Sequence, residues 1–88
     1  MTPQESHPKD IMFADGFEEA VIGIATTQGS LRVVYDQKRM AQILQQKGMS
    51  VEESWNYLDK NIFPADLGPG TPVFVQLGNY EQIISSLT

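Results

Sequence analysis

Eighty-eight residues carrying 11 acidic against 6 basic side chains give a formal charge of −5, with 41% of the chain apolar and 19% charged. That length holds one domain and excludes a second independent core, and the composition is that of a folded chain. The acidic balance argues against a nucleic-acid ligand, which needs a positive stripe to displace counterions. The lack of cysteine removes disulfides, thiolate nucleophiles and thiolate metal sites.

A cysteine-free chain has the cytoplasm as its default setting. Residues 1–10 lack the basic-then-apolar order of a signal peptide, and no apolar run approaches the roughly 18 residues that cross a bilayer, so no membrane contact is expected. Residues 1–9 hold two prolines and the single histidine, with nothing apolar after Met1 to dock them, and read as a tail ahead of a single domain over 10–88. Ile11, Met12, Phe13 and Phe17 then surround the turn dipeptide Asp15-Gly16 and are expected to lie on the core.

Residues 20–27 and 31–35 are apolar runs rich in β-branched side chains, joined by a short link at Gln28-Gly29, and predict a β-hairpin. A two-residue turn there opposes Thr26 to Leu31, Ile24 to Val33 and Ile22 to Tyr35, placing all six on one face, the expected core face. The other face, with Val21, Ala25 and Val34, is apolar enough to need partial cover. Asp36 caps a helix running to about Lys47, with Met40, Ile43 and Leu44 on one stripe and Gly48 placed for a left-handed end. Ser50-Val51-Glu52-Glu53 is a capping box opening a second helix, whose stripe is Val51, Trp55, Leu58 and Ile62.

Pro64 stops that helix, and residues 71–77 read as a third strand, with Val73, Val75 and Leu77 on one face and Phe74 and Gln76 on the other. Asn79 with Gln82 forms a second capping box before Tyr80, Ile83, Ile84 and Leu87, an amphipathic segment too short to hold a helix by itself. It must dock, on the half-apolar back of the sheet or on a neighbouring subunit. The reading is an α+β domain of order β-β-α-α-β-α, a three-stranded sheet under a helical hairpin with a short C-terminal helix.

Chemistry-bearing groups are few. His7, in the tail, is a poor general base, and no catalytic residue is assigned. Asp15, Glu18 and Glu19 form the densest acidic cluster, but their spacing does not match a calcium loop, so no metal or other cofactor is assigned. Gly68-Pro69-Gly70-Thr71 precedes a strand and lacks the lysine of a phosphate loop, so it reads as a turn. Lys38, Arg39 and Lys47 read as a solvated helix face. Trp55 belongs to the apolar stripe, whereas Tyr57 lies off it and is a candidate contact.

Taken in order, residues 14–23 (Ala14-Asp15-Gly16-Phe17-Glu18-Glu19-Ala20-Val21-Ile22-Gly23), Val34-Tyr35-Asp36 with Lys38, Gly48-Met49-Ser50-Val51-Glu52-Glu53, Asn61 and Gly70-Thr71-Pro72-Val73-Phe74-Val75 resemble a family of small proteins common in bacteriophage and bacterial genomes. The match runs from about Asp10 to Val75. It implies an accessory intracellular protein, encoded by phage, and transfers no catalytic residue. One departure is Ser54 followed by Trp55, where the family often has an alanine after the paired glutamates.

The functional expectation is a small non-enzymatic binding module that modulates a host protein. Candidate contacts are Asp15, Glu18 and Glu19 on the acidic turn, Val34 and Phe74 on the back of the sheet, and Tyr57. The partner is a protein, host or self, and a homodimer would close one of the two open sheet edges. The alternative is a regulatory domain binding a small ligand or a metal at the turn around Asp15-Gly16-Phe17.

Overall fold

The computed structural model describes residues 11–27 and 29–88. The expected tail and Gln28 of the expected hairpin turn lie outside the described residues. A 3-10 turn, Glu18–Ala20, leads into β1 (Val21–Thr27) and β2 (Ser30–Asp36). α1 (Gln37–Gln46) and α2 (Val51–Asn61) follow, then β3 (Val73–Val75) and α3 (Tyr80–Leu87). This is the α+β order expected from the sequence. The sheet order is β1-β2-β3, with β1 antiparallel and β3 parallel to β2. The α1–α2 hairpin is therefore the crossover that a parallel pair requires.

Local chemistry sets the helix limits. The Asp36 carboxylate accepts from the Lys38 amide at the start of α1, and Gly48, at φ +110°, takes the left-handed conformation just beyond its end. At α2, Ser50 Oγ accepts from the Glu53 amide while Glu53 Oε1 accepts from the Ser50 amide, the reciprocal box read from the sequence. The same box closes between Asn79 and Gln82 at α3.

The core forms where α1 lies on β2 and α2 lies on α1. Val33 and Tyr35 enter from the sheet, Met40, Ala41, Ile43 and Leu44 from α1, Leu58 from α2, and Phe17 and Ala20 from the turn before β1. Tyr35, Met40 and Leu58 are fully enclosed, each worth roughly 1.5–3 kcal/mol relative to exposure. Ser54 is the buried polar residue of the helical hairpin. Its Oγ donates to the Val51 carbonyl and accepts from Gln45 Nε2 at 3.0 Å, so Ser54 ties α2 to α1.

Four expectations are corrected. The pairs Thr26–Leu31 and Ile24–Val33 form as predicted, but a bulge at Ile22 opposes Val21, not Ile22, to Tyr35. Moreover β1 is not core: Ile22 is 46% and Ile24 66% exposed, because the helical layer covers β2 and stops short of β1. Of the residues around Asp15-Gly16, Phe17 is buried and Ile11 packs against the core, but Phe13 is exposed, as are Val51 at the start of the α2 stripe and Leu77 beyond β3. Finally, α3 does not cover the sheet: it has no buried residue, and Tyr80, Ile84 and Leu87 are exposed.

Candidate functional site

The acidic turn is built by local hydrogen bonding. Gly16 sits at φ +93°, a conformation that disfavours a Cβ, and its amide donates to Glu18 Oε2 at 3.3 Å. Phe17 and Ala20 anchor the turn in the core, which fixes Glu18 and Glu19 outward between them. Glu19 Oε1 pairs with Arg39 Nη2 at 2.9 Å, with the two side chains 71% and 34% exposed. Of the three carboxylates, Glu18 serves the turn and Glu19 ties it to α1. Among the described residues no group of three or more aspartate, glutamate, histidine or cysteine side chains is placed to hold a metal ion.

Val34 and Phe74 do not share a surface. β2 and β3 align Val34 with Val73 and Tyr35 with Phe74, and neighbouring positions on a strand alternate faces. Phe74 therefore points to the helix-covered side, its ring 5.8 Å from that of Tyr35 and 5.1 Å from that of Phe63. Its expected place on the back of the sheet is corrected: it is half-buried and packs against the core. Val34 does lie on the back, half-buried beside Val73 and Val75. Tyr57 is exposed on α2, as expected, beside a shallow hollow with Met49 and Lys60. The six candidate residues thus fall on separate parts of the molecule.

The turn before β3 is structural, as read. Thr71 is buried, and its Oγ1 donates to the Gly68 carbonyl at 2.7 Å and accepts from the Leu67 amide at 2.9 Å. Arg32 reaches this loop from β2, donating from Nη1 to the Thr71 carbonyl at 3.0 Å and from Nε to Thr27 Oγ1 at 2.7 Å. That arginine is a brace between β1 and the loop.

None of the six candidate residues lies on two strongly exposed apolar elements of the fold. One is α3, where Tyr80 is 79% and Leu87 76% exposed on an eight-residue helix. The other is the outer edge of β1. The usable signal was a surplus of apolar residues over what one helical hairpin can cover. An open groove of about 700 Å³ runs between α1, α2 and the segment after β3, lined by Ala41, Val51, Trp55 and Leu77 together with Asp36 and Lys38. No helix among the described residues is long and apolar enough to cross a membrane. No family model, curated protein or solved structure matches the chain.

Proposed function

We propose that this protein is a small non-enzymatic intracellular binding module that engages a protein partner, and that α3 is the element it presents. The observation that carries this reading is α3 itself, capped at its start yet burying none of its residues. A helix below about 12 residues is marginal in water without tertiary contact, and an apolar stripe laid into a partner's groove supplies that contact. With Glu81 as the charged residue of α3 and −5 on the chain, a groove with a basic rim fits best. The resemblance to small phage and bacterial proteins supports a phage-encoded accessory protein that modulates a host protein.

The test is a comparative pull-down from host lysate with the wild type and a Tyr80→Asp/Leu87→Asp variant, whose changes touch no buried residue. A host protein retained by the wild type and lost by the variant is the expected result. Retention of the same proteins by both overturns the role of α3.

The groove beside Trp55 favours a second reading, a regulatory domain for a small ligand, since such sites have about 300–1,000 Å³ and apolar walls with a few polar groups. Calorimetric titration with nucleotides, cyclic nucleotides, calcium and magnesium separates the two: heat that is lost in Trp55→Ala supports the ligand.

A further inference from the structure

We infer that β1 is a dimerisation edge, pairing antiparallel with β1 of a second copy about a two-fold axis at Ile24, so that two sheets become one. This surface is distinct from α3, and the inference stands apart from the reading above.

β1 is the edge strand of the sheet, and among the described residues one side of its backbone has no strand partner. Such an edge is a template for another strand, and proteins that stay monomeric blunt it with charge, proline, shortness or a bulge across its length. The opposite edge, β3, is three residues long. β1 has seven residues, Val-Ile-Gly-Ile-Ala-Thr-Thr, with no charged residue and no proline. Its bulge, at Ile22, sits near its start and leaves the stretch from Gly23 to Thr27 in regular register.

A second copy fits this edge better than an unrelated strand because the sequence is complementary to itself. Centred on Ile24, antiparallel pairing sets Ile24 on Ile24 and the small Gly23 on the small Ala25, both within the regular stretch beyond the bulge. Each copy carries −5, yet no charge of one β1 meets a charge of the other, so the shared net charge does not oppose contact at this strip. The arrangement also accounts for the exposure of Ile24. It lies on the face it shares with the buried Val33, just past the limit of the helical layer, and is left 66% exposed. In the dimer the two Ile24 side chains meet between the two helical layers, with Ile22 and Leu31, 46% and 39% exposed, flanking them. A strip about 24 Å long is short of the roughly 800 Å² per partner of a standard interface, so the dimer is expected to dissociate in the micromolar range.

The experiment is a sedimentation series on the full chain. Wild type should rise with concentration from 9.8 kDa towards twice that mass. Ile24→Lys and Ile24→Glu should each stay at the monomer mass, since each sets like charges face to face on the axis. Mixed in equal amounts, the two variants should regain the dimer. Leu67→Lys, which changes an exposed leucine in the loop before β3, should dimerise like wild type. Circular dichroism identical to wild type shows that the β1 variants fold. A wild type that stays at 9.8 kDa up to about 1 mM overturns the inference. So does a dimer that survives either Ile24 substitution, or a mixture that remains monomeric.

Discussion

The Ala14 amide donates a 2.7 Å hydrogen bond to the hydroxyl of Tyr35, and that hydroxyl belongs to one of the most enclosed side chains in the protein, 1% exposed. The bond fastens the segment before the acidic turn to the central strand. Tyr35→Phe keeps the ring against Phe74 and leaves the Ala14 N–H without its partner. The expected loss is about 1–3 kcal/mol, the cost of an orphaned donor. At about 4–8 °C per kcal/mol for a domain of this size, thermal melting detects it. Amide exchange should accelerate at Ala14 and Phe17 more than in α2.

The clasp between Gln45 and Ser54 predicts a coupling. Ser54→Ala removes the acceptor for Gln45 Nε2 and the donor to Val51, and Gln45→Ala removes the other half. Each single change should cost about 0.5–1.5 kcal/mol. The double variant should cost less than their sum, as urea unfolding in a double-mutant cycle will show.

Thr71→Val tests the loop before β3. The substitution keeps the shape of a buried side chain but leaves the Leu67 amide without the oxygen it donates to. A loss of about 1–3 kcal/mol is expected. Thr71→Ser, which keeps the oxygen, should remain within about 1 kcal/mol of wild type by chemical denaturation.

Removal of residues 79–88 should change stability little, because α3 contributes no buried residue to the core. The melting temperature is expected within about 2 °C of wild type, the range of changes that touch no core contact. A larger fall shows that α3 packs on the sheet after all.

The parts of the fold legible in the sequence are those decided by neighbours along the chain. The caps at Asp36, Ser50 and Asn79 are local hydrogen bonds and were readable as such. The hairpin register near its turn was readable for the same reason, and it failed at Ile22, where a bulge breaks the strict two-residue period. The face of Phe74 was misread because a parallel strand gets its register from across the crossover, with no turn to fix it. Alternation correctly grouped Ile24 with Val33, but no local pattern reveals how far a helical layer extends, and Ile24 lies beyond it. The candidate site suffered most, since exposure of β1 and α3 follows from what fails to cover them.

The Met12 amide donates to the Gly70 carbonyl, joining the first described stretch of chain to the loop that precedes the last strand. During synthesis this bond cannot form before Gly70 has left the ribosome, nor can β2 pair with β3 before Val75 has. A nascent chain halted after α2 therefore has its hairpin and both helices but no second neighbour for Tyr35, and Phe63 lacks the ring of Phe74. Folding is consequently a closing event, and chains interrupted before β3 carry the aggregation hazard of apolar surface awaiting its partner.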